Sequence, residues 1–205
     1  MKRFILLLLG GVCLLATAAC SHLDGYWDIT RDKGLSEEYL TVLTKWTRSQ
    51  IVYSQFETQA HISATYQNPE FSRAYLNEYS RIYHLREGEM KKREDLQKGM
   101  ASDIAEFIFY AYVPDKASND FDRRGSIWTV FLVNEKGDRI DPMELRRIEP
   151  ITPVIKEFFP YINPYYGVAY RLRFPLPNYS GGDLRTLKLV FASVISHVEL
   201  KFEGR

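Results

Sequence analysis

The spacing of hydrophobic residues changes several times along the chain, and each spacing predicts a different element. Apolar residues at three- and four-residue intervals follow Ser36 and predict a helix over residues 36–47. From Val52 to Tyr66 the period becomes two, and Phe56 falls on the apolar side. This alternation predicts one long half-buried strand over residues 52–66.

The segment after Asn68-Pro69 returns to a helical period. Tyr75, Tyr79 and Tyr83 recur at four-residue intervals, which only a helix places on one face. A second helix is predicted from Gly88 to Ser102, where charges of both signs are typical of a solvated surface.

The remainder of the chain is rich in aromatic and β-branched residues bounded by turn formers, which is typical of short strands. More strands are predicted over residues 107–113, 127–133, 139–147, 167–174, 187–193 and 198–202. With the strand at 52–66 they make about seven, the number in an immunoglobulin-like sandwich. The predicted fold is therefore mainly β with a helical insertion (α+β). It is an antiparallel immunoglobulin-like sandwich whose helices, at about 69–103, lie between the first and second strands.

The first residues of the chain have the order of a signal peptide. Lys2 and Arg3 precede an apolar run from Phe4 to Leu15, and small residues follow. The run has about a dozen residues, short of the roughly 20 that a permanent membrane-spanning helix needs. Residues 1–19 are therefore predicted to be removed on export.

The segment from Leu14 to Cys20 resembles a bacterial lipobox, in which a cysteine is acylated before the chain is cut on its N-terminal side. The resemblance implies that Cys20 is lipidated and that residues 20–34 tether a single domain, residues 35–205, to a membrane. Ser21 follows the cysteine, where retention in the inner membrane generally requires Asp, so we expect the outer membrane, facing the periplasm. An alternative stays open, because Ala16-Thr17-Ala18 is also a site for ordinary signal peptidase, whose product would be a soluble periplasmic protein.

Cysteine use and charge narrow the possibilities further. The other cysteine, Cys13, lies in the predicted signal, so the mature chain would hold no disulfide. Without Lys2 and Arg3, the 27 basic residues become 25 against 26 acidic ones, a net charge close to −1. This balance excludes the strongly basic surface of a nucleic-acid-binding protein, and no nucleic-acid partner is expected.

Motifs for catalysis or for a cofactor are not found in the sequence. It has no Gly-x-Ser-x-Gly elbow, no phosphate-binding glycine loop and no dinucleotide fingerprint. The four histidines, His61 and His84 among them, lack the spacing of a zinc site. Asp115–Asp122 holds several oxygen donors without EF-hand spacing, which favours a solvated loop over a calcium site. We therefore expect no enzyme activity, no cofactor and no metal.

One aromatic and proline-rich segment, Phe158–Tyr166, is too irregular for an ordinary strand. Its Tyr161, Tyr165 and Tyr166 are the candidate ligand-binding residues, because tyrosine offers a sugar or a peptide a flat apolar ring with a polar tip. The alternative is that these rings close one end of the core. Burial of all three tyrosines would exclude the binding role.

Short motifs, several of them aromatic, are spread over most of the predicted mature chain: Trp46-Thr47-Arg48, Val52-Tyr53, Phe56-Glu57-Thr58, Ser63-Ala64-Thr65-Tyr66, Pro69-Glu70-Phe71, Trp128-Thr129-Val130, Phe159-Pro160-Tyr161, Arg173-Phe174-Pro175 and Leu187-Lys188-Leu189-Val190. Together they resemble an uncharacterised group of bacterial lipoproteins with an immunoglobulin-like β-sandwich body. The resemblance implies an exported, anchored domain, and it implies no activity, ligand or catalytic residue.

The function expected from the sequence is that of a non-catalytic envelope lipoprotein, an interaction or structural module whose partner is an unidentified envelope protein. A second hypothesis is a small-ligand binder, with a cleft between the sandwich and the helices lined by Tyr75, Tyr79 and Tyr83. A third is an unrecognised hydrolase, which needs a histidine within hydrogen-bond reach of both a hydroxyl and a carboxylate.

Overall fold

The computed structural model describes residues 34–100, 104–175 and 186–203. The predicted signal at 1–19, Cys20, the tether up to residue 33 and the loop at 178–183 lie outside these ranges. Residues Ser36–Arg205 form one compact unit.

Four α-helices, one short 3₁₀ helix (Lys116–Ser118) and nine strands are described in this unit. The helices are α1 (Glu37–Trp46), α2 (Pro69–Tyr83), α3 (Glu87–Met100) and α4 (Pro153–Phe158). The strands are β1 (Thr47–Ser54), β2 (Glu57–Tyr66), β3 (Ile104–Tyr112), β4 (Thr129–Val133), β5 (Arg139–Ile140), β6 (Glu144–Arg147), β7 (Val168–Pro175), β8 (Thr186–Ala192) and β9 (His197–Glu203).

The first two helices begin where the sequence supplies a side-chain cap. Ser36 caps α1 by accepting a hydrogen bond from the Tyr39 N–H. Asn68 caps α2 in the same way, and Pro69 occupies the first turn, where its missing N–H is not needed. The helices predicted from residue 36, from Pro69 and from residue 88 are confirmed, with small shifts at their ends.

The strands form two antiparallel sheets. The five-stranded sheet has the order β1-β2-β3-β7-β6, and the four-stranded sheet has the order β5-β4-β8-β9. The protein is therefore mainly β with a few helices, and α2 and α3 are inserted between β2 and β3.

The prediction of one strand over residues 52–66 is wrong, because this segment belongs to a hairpin. β1 and β2 pair around a turn at Gln55 and Phe56, whose φ angles are 49° and 68°. Phe56 therefore lies in the turn and not on a buried strand face. The pattern misses this turn because Gln-Phe is not one of the pairs, such as Asn-Gly, that usually mark a two-residue hairpin.

The prediction of one strand over residues 139–147 is also wrong, because β5 and β6 belong to different sheets. The chain passes from one sheet to the other at residues 141–143, where Pro142 has no N–H to donate to a ladder. The two corrections account for nine strands in place of about seven.

Aromatic rings from the two sheets meet in the core. Phe109 contacts Phe191 with ring centroids 5.0 Å apart, and Phe107 contacts Phe202 at 5.3 Å. β9 alternates exposed and buried residues along its whole length, so one of its faces joins this core. Full burial of each such side chain stabilises the fold by about 1.5–3 kcal/mol.

Side chains of β1 link the neighbouring edges of the two sheets. The Arg48 Nε–H donates to the Lys201 carbonyl oxygen over 2.9 Å, and the Glu199 N–H donates to Gln50 Oε1 over 3.4 Å. These bonds engage backbone groups that an edge strand otherwise exposes. They also show that β9 runs antiparallel to β1, because residue numbers rise along one strand as they fall along the other.

The strand directions determine which connections share an end of the fold. β2, β4, β7 and β9 begin at one end, and β3 and β8 finish there. We call it the loop end, because the β1–β2 turn, the β8–β9 turn, the connection before β4 and the turn directly before β7 all lie there. The opposite end, where β1 begins and β2 leads into α2, is the helix end.

Candidate functional site

Exposed apolar side chains gather at the loop end. In the described part of the chain twelve large hydrophobic side chains are exposed, and eight of them belong to this end. We call these eight the apolar rim: Ile51, Tyr53, Phe56, Ile127, Tyr165, Tyr166, Val194 and Ile195. Exposed apolar residues concentrated in one region of a soluble domain commonly mark a contact site.

The β1–β2 hairpin carries the most exposed member of the apolar rim. The Phe56 side chain is 105% exposed, so it packs against no part of the fold. Phe56 also has a left-handed backbone with φ of 68°, a conformation that is unfavourable for a bulky residue and easy for glycine. The hairpin therefore holds an aromatic ring in solvent at a conformational cost.

The β8–β9 turn presents two aliphatic side chains in a similar way. Ser193 Oγ accepts hydrogen bonds from the N–H groups of Ile195 and Ser196, at 3.2 and 3.1 Å. The Ser193 N–H donates to the Ser196 carbonyl oxygen at 2.9 Å. The turn thus satisfies its own polar groups, while Val194 remains 92% exposed.

The three candidate tyrosines differ in their contacts and in their exposure. Tyr161 donates to the Ile108 carbonyl oxygen over 3.2 Å and shares a 2.8 Å hydrogen bond with the Thr65 hydroxyl. Tyr161 is half-buried as a whole, and the burial of its hydroxyl raises the pKa of Tyr161. Tyr165 and Tyr166 are 80% and 66% exposed. Tyr161 thus closes the fold, whereas Tyr165 and Tyr166 have the exposure that binding requires.

Gly167 determines where the two exposed tyrosines lie. A Cβ atom at this position would meet the Ala111 carbonyl oxygen and would lie 2.5 Å from the Tyr110 ring. Only glycine lets the backbone approach β3 this closely. The Asn163 carbonyl oxygen accepts the Gly167 N–H at 3.2 Å, so Tyr165 and Tyr166 sit in a tight turn just before β7.

The connection before β4 supplies Ile127 and the oxygen donors considered for calcium. Asp115 accepts the Ser118 hydroxyl at 2.6 Å, and Asp120 accepts the Ser126 hydroxyl at 2.8 Å. These contacts use carboxylate oxygens within the loop, and the loop is only partly solvated, because Asn119 and Phe121 are buried. Within the described ranges, no group of three or more His, Cys, Asp or Glu side chains is arranged to hold a metal ion.

Two histidines each have part of the environment that a hydrolase needs. His61 Nε2 lies 2.9 Å from Ser49 Oγ and 3.3 Å from Ser63 Oγ, and burial lowers the pKa of His61. His197 Nε2 lies 3.2 Å from Glu199 Oε1. The hydroxyl partners thus belong to one histidine and the carboxylate to another, on strands of different sheets. This arrangement does not bring together the three groups of a catalytic triad.

Two tyrosines of α2, Tyr75 and Tyr79, belong to an aromatic cluster. Tyr75 contacts Phe158 with ring centroids 4.6 Å apart, and Arg93 lies 4.9 Å over the Tyr79 ring. We call the group the helix cluster: Tyr39, Phe71, Tyr75, Tyr79, Phe158 and Phe159. A shallow cavity of about 460 Å³ on α3 is lined by other residues: Gly88, Lys91, Lys92, Asp95 and Leu96.

A buried carboxylate joins α2 to the start of α1 beside the helix cluster. Glu78 is 3% exposed, and it accepts hydrogen bonds from the N–H and hydroxyl of Ser36 at 2.7 and 2.8 Å. Arg81 pairs with the same carboxylate at 2.7 Å. The hydrogen bonds from Arg81 first, and then those from Ser36, hold the pKa of Glu78 at about 2. Glu78 thus holds Ser36, the N-cap of α1, against α2.

The rim segments, including those that the hydrophobic pattern misses, share one sequence signal. The signal is not specific to them, because residues 58–69 and 107–114 share it and form largely buried strands. The hydrophobic pattern assigns Phe56 to a buried face, places Ile127 at the start of a predicted strand and gives Val194 and Ile195 no role. All eight rim residues, however, lie in runs without a charged residue, in a chain that is 26% charged. These runs are residues 50–56, 125–134, 158–170 and 189–196.

No family model, no characterised protein and no solved structure matches this chain. Among the helices described, none is both long enough and apolar enough to cross a membrane. The function is therefore inferred from the residues of the chain itself.

Proposed function

We propose that this protein is a non-catalytic lipoprotein of the bacterial envelope, anchored through Cys20, and that it acts as an interaction module. The observation that carries the proposal is the apolar rim, in which Phe56, Tyr165 and Val194 stand in solvent at one end of the fold. The core does not need these side chains, because they contact little of it. A contact surface for another component of the envelope accounts for their position.

We infer that the body is an immunoglobulin-like sandwich with one extra strand, β1, at its edge. Without β1 the two sheets have the orders β2-β3-β7-β6 and β5-β4-β8-β9. These correspond to strands A-B-E-D and C′-C-F-G of an immunoglobulin domain. In this assignment the loop end contains the B–C and F–G loops, which variable domains use for recognition. The fold supplies no particular partner, so the partner has to be identified by experiment.

Photocrosslinking in intact cells tests the contact surface. A photoreactive phenylalanine is placed at Phe56 or Tyr165, and a matched control is placed at Met143, which is 60% exposed and lies outside the loop end. We expect adducts with protein or lipid at positions 56 and 165 that position 143 does not give. Equal adducts at all three positions, or none at positions 56 and 165, would overturn the proposal.

Intact-mass analysis of the membrane fraction tests the anchor. We expect the native chain to begin at an acylated Cys20 and the Cys20→Ser chain to lose the acyl mass. A native chain cut after Ala18, with an unmodified Cys20, would show that ordinary signal peptidase processes it. The protein would then be soluble in the periplasm.

A further inference from the structure

We propose that the apolar rim docks on the surface of an electrically neutral lipid bilayer. This inference rests on the proposed function, since it names what the contact surface meets. It starts from the four uncharged runs that contain the rim residues, at 50–56, 125–134, 158–170 and 189–196.

The composition of the rim fits a bilayer interface. Four of the eight rim residues are aromatic, and three of these are tyrosines: Tyr53, Tyr165 and Tyr166. The polar residues of the four runs are Ser, Thr, Asn and Gln, which, with Tyr and Trp, carry no charge. Aromatic residues with a polar tip favour the headgroup level of a membrane, where the ring is buried and the tip remains hydrated.

The exposure of the rim residues also favours a bilayer as the binding surface. Phe56 and Val194 are 105% and 92% exposed, so neither is surrounded by neighbours that would exclude water. Side chains that dominate protein interfaces sit in packed surroundings with a ring of contacts that keeps water out. The acyl region of a bilayer excludes water by itself. Each turn can therefore insert its side chains separately, and no matching groove is needed.

The charges at the loop end add no preference for anionic lipid. The connection from β3 to β4 carries three acidic and three basic residues, so its net charge is zero: Asp115, Lys116, Asp120, Asp122, Arg123 and Arg124. The exposed Glu57 beside Phe56 adds a negative charge. Electrostatic attraction to anionic headgroups requires an excess of basic residues near the surface. Docking is therefore expected on phosphatidylcholine alone. Lipid on Cys20 would hold the domain near such a surface, so that weak insertion of a few side chains suffices.

Quenching by brominated lipid tests this inference. The chain is purified from cell membranes and reconstituted in phosphatidylcholine vesicles brominated near the headgroup end of the acyl chains. An environment-sensitive fluorophore is attached at Phe56→Cys, Val194→Cys or the control Met143→Cys. The unsubstituted chain measures any background from Cys13 and Cys20, and an unchanged urea midpoint shows that each labelled chain is folded.

We expect the labels at positions 56 and 194 to lose about half of their emission or more, because interfacial side chains lie about 5–10 Å into the headgroup and acyl boundary. The label at position 143 should change by less than about a tenth. Addition of phosphatidylglycerol should not increase quenching. A rise with anionic lipid would identify Arg123 and Arg124 as the membrane contact and overturn the role of the uncharged runs.

Equal quenching at positions 56, 194 and 143 would also overturn the bilayer inference, and the crosslinking experiment then separates the two proposals. Protein adducts specific to position 56 would leave the contact surface in place with a protein as its partner. The absence of both quenching and specific adducts would overturn the contact surface as well.

Discussion

The helix cluster and the apolar rim are two aromatic regions of one domain that differ in what surrounds their rings. In the helix cluster, Tyr39 donates to the Phe158 carbonyl oxygen over 2.8 Å, and the two rings lie 5.4 Å apart. In the apolar rim, Phe56 is fully exposed and Tyr165 is 80% exposed. Aromatic content alone therefore does not identify a binding surface in this protein. The partners of each ring distinguish a ring that stabilises the fold from one that is available for contact.

The largest expected effect is a difference in the free energy of unfolding between variants of two phenylalanines, one from each region. Phe158→Ala removes a ring that is 2% exposed and should lower the free energy of unfolding by about 3–5 kcal/mol. Phe56→Ala removes a ring without packing neighbours and should change it by less than about 0.5 kcal/mol. Urea unfolding of both variants measures the difference. Equal losses would show that Phe56 packs in solution and would remove the contrast between the regions.

The next effect concerns the carboxylate beside the helix cluster. Glu78→Gln weakens the bonds to Ser36 and Arg81 and should lower the free energy of unfolding by about 1.5–3 kcal/mol, the range for hydrogen bonds to a charged group. The matched control is Glu87→Gln, an exposed glutamate at the start of α3, which should change it by less than about 0.5 kcal/mol. A loss at Glu87 as large as at Glu78 would point to net charge instead of the buried contact.

The pH dependence of the same pair sharpens this test. The pKa of Glu78 is about 2 in the folded protein, below the ordinary 4.5, so the folded state favours the ionised form. Its contribution is therefore complete above pH 4.5 and is lost as the pH falls from 4.5 towards 2. The gap between the urea midpoints of the native chain and Glu78→Gln should narrow over this interval. A gap that stays constant would mean that the carboxylate charge is not what stabilises the contact.

A smaller effect separates the tyrosines of the 158–170 run. Tyr161→Phe removes the hydroxyl bonded to Thr65 and Ile108 and should lower the free energy of unfolding by about 1–2 kcal/mol. Tyr165→Phe removes an exposed hydroxyl and should have almost no effect. Thermal unfolding monitored by circular dichroism measures both. A neutral Tyr161→Phe would remove the assignment of Tyr161 to the closed part of the fold.

The smallest expected effect is an increase in the free energy of unfolding. The double variant Gln55→Asn with Phe56→Gly places a favoured residue pair in the two left-handed positions of the hairpin turn. It should raise the free energy of unfolding by about 0.5–1 kcal/mol. It should also abolish the position-56 contact that the crosslinking and quenching experiments detect. A destabilised double variant would show that the Phe56 ring contributes to folding.

Local features of the fold are predictable from the sequence because their causes are local. Ser36 and Asn68 cap helices within three residues of their partners, and both helices are found where the pattern expects them. The assignment of β5 and β6 to different sheets depends on pairing with β4 and β7, which are separate segments of the chain. Periodicity carries no information about such partners, so one strand is predicted where there are two.

The candidate site is predictable only in part, for the same reason. Tyr161, Tyr165 and Tyr166 look alike in sequence, and they differ because Thr65 and Ile108, from distant strands, receive the Tyr161 hydroxyl. Phe56 is missed because a hydrophobic residue in an alternating run is expected to face the core. The absence of charge from all four rim segments is readable in the sequence, yet it gains meaning only when the strand directions bring those segments to one end.

The position of Glu78 also has a mechanical consequence. Tension applied to the chain before Ser36 would act on the two bonds that Ser36 makes to the Glu78 carboxylate before it could unwind α1. Arg81 holds that carboxylate from within α2, so the load passes into the longest helix described and from there to the body of the domain. If the chain is anchored ahead of Ser36, as proposed above, the domain would therefore resist being pulled open at its first helix.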